Sequence, residues 1–430
     1  MRTTKFKASE IGPIPVEWEV KRLGEIASLI TKGTTPTSVG CAFTDYGINF
    51  IKAESITESG AFLVSLFAHI DEQTNAFLSR SVLKEGDYLF SIAGVLGRVA
   101  LVPETLLPAN TNQALAIIRL DEQVKICRIF LFFALKSEYI QVQIQEENVA
   151  AAQANLSLQE IGKLCVALPP LAEQYDIAEA LSDADAWIES LDNLIEKKKL
   201  VKQGAMQALL SGKTRLPGFS GEWTREAIGD EFDFLRTNTL ARACLGDNGS
   251  IADVHYGDVL VRYGNILDFS TETPPFIEGR FESRSIGDFL RDGDLVMADT
   301  AEDEMVGKAV EIQNLGNRRA VAGLHTVACR PKHPFAPRWL GHFVNSPAFH
   351  NQLLPLISGT KVSLISKENL KTVFVLRPPL AEQAAIAEVL SDMDAELAAL
   401  SRETAKAEQI KQGMMQELLT GKTRLVKKGE

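Results

Sequence analysis

The stretch LPPLAEQ at residues 168–174 returns as RPPLAEQ at residues 377–383. The match continues without a gap to a GKTRL pentapeptide, and 28 of the 48 residues from 169 to 216 are identical in the second copy. A repeat of this length indicates that one structural unit has been duplicated. We therefore predict two similar halves, each of which ends in the same constant segment.

The two halves also match, more weakly, ahead of the constant segments. The corresponding pairs keep the same order and are Glu17-Trp18 with Glu222-Trp223, Tyr46-Gly47 with Tyr256-Gly257, Lys52 with Arg262, Gly86-Asp87 with Gly293-Asp294, and Gly97-Arg98 with Gly307-Lys308. Each half is therefore interpreted as a variable domain followed by a constant helix. The predicted domains are residues 1–168 and 217–377, the predicted helical spacers are residues 169–216 and 378–425, and residues 426–430 form a tail.

The constant segment has the apolar pattern of a coiled-coil helix, with steps that alternate between four and three residues. The seam residues are Ile177, Leu181, Ala184, Ile188, Leu191 and Ile195 in the first copy and Ile386, Leu390, Met393, Leu397, Leu400 and Thr404 in the second. A helix from about residue 171 to residue 211 would be about 60 Å long. We expect the two helices to pair in antiparallel orientation and to give the molecule an approximate two-fold symmetry. The alternative is that each helix packs only on its own domain.

Proline and glycine mark the ends of this helix. The double prolines at residues 169–170 and 378–379 suit a helix start, where the missing N–H is not needed. Gly212 and Gly421 suit a helix end. Gly204 and Gly413 lie inside the helical stretch, where glycine costs about 1 kcal/mol relative to alanine. We therefore expect a kink or a close approach of the helices at these two glycines.

The composition is that of a globular protein with more than one domain. The 430 residues are 45% hydrophobic and 23% charged, and one domain usually holds about 100 to 200 residues. Strand-like runs at residues 48–51, 88–92 and 114–120 alternate with helical stretches such as residues 128–145, which predicts mixed α/β (α+β) domains. No stretch approaches the roughly 18 apolar residues of a membrane span, and the start lacks a secretion signal. A cytoplasmic protein without a membrane partner is expected.

The motifs of common catalytic and metal sites are missing from the sequence. The GKT triplets at residues 212–214 and 421–423 lack the upstream glycine of a phosphate-binding loop. The five cysteines are far apart, and the six histidines have none of the spacings typical of metal ligands. We find no methyl-donor glycine motif and no nucleophile or nuclease motif. The sequence predicts a non-catalytic binding protein with no metal or cofactor of its own.

A variable domain, a segment reading PPLAEQxxIAxxL, a long helix ending in LLxGKxRL, and then the same order again resemble the specificity (S) subunits of Type I restriction-modification systems. The resemblance covers nearly the whole chain. It implies that each variable domain is a target recognition domain for one half of a bipartite site in double-stranded DNA. It implies further that the helices set the gap between the half-sites and dock two methyltransferase (modification) subunits, and that restriction/translocase subunits join this core.

The resemblance also implies that the chemistry takes place in the partner subunits. DNA methylation with S-adenosylmethionine, and translocation and cleavage with ATP and Mg, would belong to them and not to this chain. Two alternatives stay open. One is a specificity subunit of a related methylation-only or phage-defence system, and the other is a coiled-coil scaffold that does not read DNA.

Basic and amide side chains in the variable domains are the candidates for DNA contact, because Lys and Arg bind phosphates while Asn, Gln and Arg read base edges. They are Lys32, Thr34, Thr35, Lys52, Arg98, Asn110, Asn112 and Gln113 in the first domain, and Arg262, Lys308, Arg318, Arg319 and His325 in the second. Arg98 and Lys308 each follow a glycine turn, so we expect them to contact phosphates. The last three candidates are expected at the position of the Asn/Gln cluster of the first domain. Solvated surface is the alternative for any single residue.

The net charge of −11 opposes binding of the DNA backbone, which needs a positive surface. No predicted domain or spacer is basic overall, although a mild net charge can hide a basic face. We therefore expect the isolated chain to bind DNA poorly, and to aggregate or need its methyltransferase partner. A gel-shift comparison at about 0.15 M salt tests this. Binding that appears only with the partner supports the prediction, whereas tight, sequence-specific binding by the chain alone contradicts it.

Overall fold

The computed structural model describes residues 5–148, 155–281, 287–302, 305–359 and 362–425. The described residues form two compact units, of which the first lies within residues 1–191 and 403–430 and the second within residues 192–402. The predicted tail, residues 426–430, lies outside the described residues. Within the described ranges, none of the helices is long and apolar enough to cross a membrane.

The first unit contains a mixed α/β domain. Its strands are β1 (Phe6–Lys7), β2 (Ile14–Pro15), β3 (Glu19–Arg22), β4 (Ala27–Lys32), β5 (Ile48–Ile51), β6 (Ala68–Ile70), β7 (Tyr88–Ser91), β8 (Val99–Leu101), β9 (Ala109–Thr111), β10 (Leu115–Leu120) and β11 (Cys165–Leu168). Its helices are α1 (Leu23–Ile26), α2 (Glu72–Phe77), α3 (Arg128–Leu135), α4 (Glu138–Asn148) and α5 (Leu158–Lys163), followed by the long α6 (Leu171–Leu209). One sheet has the order β4-β10-β7-β8, and a second has the order β6-β5-β9, in which β5 and β9 are parallel.

The three predicted strand runs correspond to β5, β7 and β10. The predicted helix at residues 128–145 is interrupted, because α3 ends at Leu135 and α4 begins at Glu138. Between them the Ser137 hydroxyl donates to the Ala134 carbonyl at 2.6 Å. A serine that bonds to the backbone in this way competes with the helical ladder, which accounts for the break.

The second unit contains a domain of the same kind. Its strands are β12 (Thr224–Ala227), β13 (Phe232–Leu235), β14 (Leu245–Gly246), β15 (Ile251–Val254), β16 (Ile266–Asp268), β17 (Phe276–Ile277), β18 (Leu295–Ala298), β19 (Thr300–Ala301), β20 (Ala309–Gln313), β21 (Arg319–Ala322), β22 (Thr326–Pro331), β23 (Ser363–Leu364) and β24 (Phe374–Arg377). Its helices are α7 (Ile228–Glu231), α8 (Tyr256–Val261), α9 (Trp339–Val344), α10 (Pro347–Leu353) and α11 (Lys367–Lys371), followed by the long α12 (Leu380–Leu418). The main sheets have the orders β13-β22-β18-β20-β16 and β14-β17-β15-β21.

Both domains share one framework. Strands β13, β22, β18 and β20 take the places of β4, β10, β7 and β8, and the parallel pair β15 and β21 takes the place of β5 and β9. A buried aspartate precedes the central strand in each domain. Asp87 accepts two hydrogen bonds from Arg119, at 2.7 and 2.6 Å, and Asp294 accepts two from Arg330, at 2.8 and 2.6 Å. The predicted mixed α/β fold with two similar domains is confirmed.

The constant helices begin and end close to where the sequence predicts. Gly212 and Gly421 have φ angles of 71° and 69°, the left-handed conformation that suits glycine after a helix end. Gly204 and Gly413 differ from expectation. A Cβ atom at either position would meet nothing within 4 Å, so of the two predicted alternatives the close approach is wrong, and the kink stays a prediction.

In the first unit a buried glutamate joins the start of α6 to the end of α12. Glu173, with 2% of its surface exposed, accepts hydrogen bonds from Arg424 Nε at 2.6 Å, Arg424 Nη2 at 2.8 Å and Trp18 Nε1 at 3.1 Å. We call this arrangement of a glutamate, an arginine and a tryptophan the glutamate clamp. The glutamate comes from the PPLAEQ motif and the arginine from the GKTRL motif, so the clamp explains why both recur.

The second unit contains the same glutamate clamp with the helices exchanged. Glu382, at the start of α12, is fully buried and accepts hydrogen bonds from Arg215 Nε at 2.5 Å, Arg215 Nη2 at 2.6 Å and Trp223 Nε1 at 3.0 Å. Arg215 follows the end of α6. Each long helix is therefore anchored at its start in one unit and at its end in the other.

The glutamine beside each clamp ties the constant helix to its domain. Gln174 Oε1 accepts a hydrogen bond from Cys127 N at 3.0 Å, directly before α3. Gln383 Oε1 accepts one from Ala336 N at 2.9 Å, just before α9. Both glutamines are buried, where an unpaired backbone N–H would be costly.

The two long helices run antiparallel in each unit. In the first unit, Glu173 near the start of α6 pairs with Arg424, which follows the end of α12, and Asp185 farther along α6 pairs with Lys411 inside α12. In the second unit Lys202 of α6 pairs in the same way with Asp394 of α12. The predicted antiparallel pairing is confirmed.

The first seam residues of each helix are buried in a domain core, together with the leucine pair at the end of the other helix. These residues are Ile177, Leu181, Leu418 and Leu419 in the first unit and Ile386, Leu390, Leu209 and Leu210 in the second. Farther along the seam, Leu191 is buried, whereas Ile188, Leu397 and Leu400 are half-buried. The alternative that each helix packs only on its own domain is therefore wrong, because each helix packs on a domain as well as on its partner helix.

Replacement of Arg424 by methionine should lower the free energy of unfolding by about 3 kcal/mol, because the buried Glu173 carboxylate loses its charged partner. Urea unfolding of the variant and the parent measures the difference. Lys199→Met is the matched control, since Lys199 pairs with Glu196 at 2.7 Å on an exposed surface and such pairs contribute about 0.5 kcal/mol or less. Equal losses in the two variants would contradict the role of the clamp.

Candidate nucleic-acid interface

Each domain has a loop at the end of an edge strand, and the two loops occupy equivalent places. Edge loop 1 (residues 32–35) begins at the last residue of β4, and edge loop 2 (residues 236–240) follows β13. Each loop is bonded to the last residue of the parallel strand β9 or β21, through Thr34 N to Thr111 O at 3.2 Å and Asn238 N to Ala322 O at 3.0 Å. The framework therefore holds both loops by the same backbone contact.

Edge loop 1 can pack on β9 because it contains a glycine. A Cβ atom on Gly33 would lie 1.9 Å from the carbonyl oxygen of Thr111. With no side chain in the way, Gly33 N donates to Asn112 O at 3.1 Å. Any larger residue would have to push the loop off the strand.

Five of the first-domain candidates come together at edge loop 1, namely Lys32, Thr34, Thr35, Asn112 and Gln113. Gln113 Oε1 accepts hydrogen bonds from the Thr35 hydroxyl and, at 3.1 Å, from Thr35 N. Arg80, which the sequence reasoning missed, donates to Thr34 Oγ1 at 3.1 Å. Lys32, Arg80 and Gln113 are exposed, so the cluster presents two cations and an amide to solvent.

Asn110 lies at the same edge but points inward. Its side chain is fully buried, and Nδ2 donates to Asn75 Oδ1 at 2.9 Å and to the Leu78 carbonyl at 3.2 Å. Its Oδ1 accepts from Thr111 N at 2.8 Å. In this conformation the amide of Asn110 supports the framework from within.

Lys52 and Arg262 do not occupy equivalent places, so this part of the sequence match is wrong. Tyr46 precedes the parallel strand β5, whereas Tyr256 follows the corresponding strand β15. The residue that follows β15 directly, as Lys52 follows β5, is His255. The Tyr-Gly pairs that guided the match lie on opposite sides of the strand, which local sequence similarity cannot reveal.

Lys52 and Arg262 are nevertheless accessible to solvent, since Lys52 is half-buried and Arg262 is exposed. Lys52 Nζ lies 3.8 Å from Glu54 and 5.1 Å from the ring centroid of Phe43. Arg262 is exposed, and its Nη2 donates to the carbonyl of Thr273 at 2.9 Å. A DNA contact by either side chain stays a prediction.

Arg98 and Lys308 are equivalent, and each is bonded to the backbone of its own domain. Arg98 Nη1 donates to the Ile56 carbonyl at 3.1 Å. Lys308 Nζ donates to the carbonyls of Leu260 and Tyr263 at 2.7 and 3.0 Å, and burial lowers the pKa of this ammonium group. Both side chains thus secure the segment that follows the parallel strand β5 or β15. Their phosphate contact stays a prediction beside this structural role.

Edge loop 2 is held by a buried carboxyl group. Asn238 Nδ2 donates to Asp253 Oδ2 at 2.5 Å, and Asn238 Oδ1 accepts from Leu240 N at 2.9 Å. Arg236, also missed by the sequence reasoning, corresponds to Lys32 and is 77% exposed. It pairs with Asp288 at 2.8 Å. The loop therefore carries an exposed cation above a buried polar pair.

The last three second-domain candidates are not one cluster. Arg318 and Arg319 lie at the start of β21, whereas His325 lies beyond its end, so their predicted common position is wrong. Arg319 covers the ring of Phe289 at 4.4 Å, and His325 meets the ring of Tyr256 at 5.3 Å. Of the three, only His325 lies near the end of β21 that contacts edge loop 2.

Buried ionisable groups away from the edge loops have structural partners. Glu311 accepts hydrogen bonds from Arg338 N at 2.7 Å and Gly341 N at 2.8 Å, and burial raises its pKa to about 7. His342 lies between Asn265 and Ser391, and burial lowers its pKa to about 4. Among the described residues, no group of three or more His, Cys, Asp or Glu could hold a metal ion.

The architecture defines a class of protein with two similar α/β domains and two long antiparallel helices. Residues 15–199 match the family model described as Type I restriction modification DNA specificity domain. The chain is 24% identical over 432 residues to the type I restriction enzyme MjaVIII specificity subunit of Methanocaldococcus jannaschii, with 96% of this chain and 94% of the relative covered. A second protein of that organism, which also carries a type I specificity-subunit name, is 25% identical over 445 residues and covers 98% of this chain and 97% of its own length.

A solved structure agrees in fold. A chain from a type I R-M system, described for its complex assembly and conformational transition, has a TM-score of 0.60 at 18% identity, with 95% of this chain and 99% of that chain covered. The family model and the relatives all support a similarity of this chain to the specificity subunits of Type I restriction-modification systems. The resemblance noted from the sequence is confirmed.

Replacement of Gly33 by alanine should weaken DNA binding about tenfold, because the methyl group displaces edge loop 1 and breaks one or two hydrogen bonds of about 0.5 to 1.5 kcal/mol each. Titration of the assembled complex with its mapped DNA site measures this loss. Gly264→Ala is the control, since a Cβ there meets nothing within 4 Å. Binding equal to the parent in Gly33→Ala would rule out edge loop 1 as part of the interface.

Proposed function

We propose that this chain is the non-catalytic DNA specificity subunit of a Type I restriction-modification complex, and that it reads a bipartite DNA site with one domain for each half-site. The observation that carries the proposal is the pair of edge loops. The same backbone contact holds both loops, while their side chains differ. Base sequence is read by side chains and not by the framework, so this arrangement suits two different half-sites.

The charges at the two loops support contact with DNA. Lys32 and Arg80 stand at edge loop 1, and Arg236 stands at the equivalent position of edge loop 2. Exposed cations on an otherwise acidic chain would concentrate the phosphate contacts at these places. Gln113 at the first loop and His325, just beyond the end of β21 near the second, are proposed to read base edges.

The constant helices are proposed to serve as spacer and as docking surface. They bury their first seam residues in the domains, and they leave apolar side chains such as Trp187 and Leu200 exposed, at 43% and 68%. Two methyltransferase subunits, one for each half-site, are the proposed occupants, and restriction/translocase subunits complete the complex. Methylation, ATP hydrolysis and cleavage, with S-adenosylmethionine, ATP and Mg, are assigned to those partners.

Insertion of one heptad into α6 alone should change the gap between the half-sites or abolish assembly, because the inserted turns add about 10 Å to one helix and none to the other. Methylation mapping of a host that expresses the variant with its partners gives the half-sites and the gap. The control carries the same heptad in both helices. It should keep both half-sites and change the gap by about three base pairs, at about 3.4 Å per base pair.

An unchanged site and gap in both variants would refute the spacer role. Loss of one half-site with the gap preserved would also contradict it, because a pure spacer leaves the reading domains intact.

A further inference from the structure

The second domain has a buried carboxyl group where the first domain has a phenylalanine. Asp253 pairs with Val321 across β15 and β21, and Phe50 pairs with Asn110 at the same step of β5 and β9. Asp253 is fully buried. A carboxyl group in such a place is expensive unless it is well bonded, so its presence calls for a cause that Phe50 does not share.

The hydrogen bonds of Asp253 lead directly to edge loop 2. Its Oδ2 accepts from Asn238 Nδ2 at 2.5 Å, and the same amide reaches the Ala322 carbonyl at 3.2 Å. Its Oδ1 is buried without a hydrogen-bond partner among the described atoms. That oxygen faces Gly323, where a Cβ atom would lie 2.2 Å away. The absence of a side chain at Gly323 thus leaves space for the Asp253 carboxyl group, of which only Oδ2 accepts a hydrogen bond.

We propose that Asp253 is a positioning residue for edge loop 2, which holds Asn238 in place and thereby sets the loop that reads the second half-site. The proposal rests on the proposed function for its link to DNA, but not for the contact itself. Edge loop 1 is fixed by a different device, the close packing of Gly33 on β9. The two domains therefore hold equivalent loops by different chemistry.

The hold on edge loop 2 depends on pH. Burial is the main cause that raises the pKa of Asp253 to about 6, and the nearby Asp258 adds to it, while Asn238 and Arg242 act in the opposite direction. Opening of the loop would hydrate the carboxyl group and return its pKa toward the ordinary value. The pKa of the Asp253 carboxyl group is therefore higher when edge loop 2 is closed over it, as in this structure, than when the loop is open. Closing of the loop thus favours binding of a proton. Closure is therefore fully favoured below about pH 4 and loses strength as the pH rises through about 6.

Three substitutions separate positioning from mere stability. Asp253→Ala removes the acceptor and should release the loop at every pH. Asp253→Asn keeps an acceptor oxygen without a charge, so it should hold the loop and abolish the pH dependence. Glu311→Gln is the matched control, because Glu311 is a buried carboxyl group with a raised pKa whose hydrogen bonds run to Arg338, Gly341 and Gln313 and not to the loop.

Hydrogen exchange of the chain assembled with its methyltransferase subunits provides the first readout. At pH 7.5, protection of the amides in residues 236–240 should fall at least about tenfold in Asp253→Ala, a change that corresponds to about 1.4 kcal/mol. It should equal or exceed the parent in Asp253→Asn and be unchanged in Glu311→Gln. In the parent it should rise at least about threefold from pH 7.5 to pH 5, after correction for intrinsic exchange.

DNA binding provides the second readout. On the mapped bipartite duplex, Asp253→Ala should lose discrimination at one half-site only, and Asp253→Asn should retain it. Parent-like protection of edge loop 2 in Asp253→Ala, or an equal loss in Glu311→Gln, would overturn the proposal. If the assembled parent fails to bind any bipartite duplex, the proposed function fails, and the exchange data still decide the role of Asp253.

Discussion

The structure depends on the glutamate clamp, the contact of a buried glutamate with an arginine and a tryptophan. A carboxylate removed from water must be paired, or it destabilises the fold strongly. In each unit the pair is completed only when the start of one long helix meets the end of the other, through Glu173 and Arg424 or through Glu382 and Arg215. The clamp thereby makes two distant stretches of sequence into one structural element in each unit.

The two domains that the constant helices join have the same framework of strands, but the edge loops on that framework differ. The buried Asp–Arg pairs, the parallel strands and the cationic side chain after the glycine turn occur in both. The edge loops keep their backbone contact but differ in composition, with Gly33 in one and Asn238 in the other. The framework and the loops that it carries can therefore change independently, which supports the proposal that the two loops read different half-sites.

Several candidate residues show how much of the site can be predicted from a single sequence. Lys32, Thr35 and Gln113 were predicted as candidates for DNA contact, and they lie together at edge loop 1, where Gln113 accepts hydrogen bonds from Thr35. Arg98 and Lys308 were predicted from the same kind of pattern, a cation after a glycine turn, and are bonded to backbone carbonyls. The sequence pattern is the same whether the basic side chain is exposed or bonded to a carbonyl, because the pattern contains only the charge and the turn. The acceptor that the charge meets comes from another part of the chain.

The sequence by itself determined the duplication, the two long helices with their ends, and the resemblance to a family, because those features are local: a repeat, a heptad period, and prolines or glycines at fixed places. Only the tertiary structure decided which residues correspond between the variable domains, that Arg80 and Arg236 stand beside the predicted loops, and that Asp253 lies beneath one of them. These facts depend on strand pairing between segments far apart in the chain. The physical reason is that the register of paired strands decides which side chains meet, and no local pattern encodes that register.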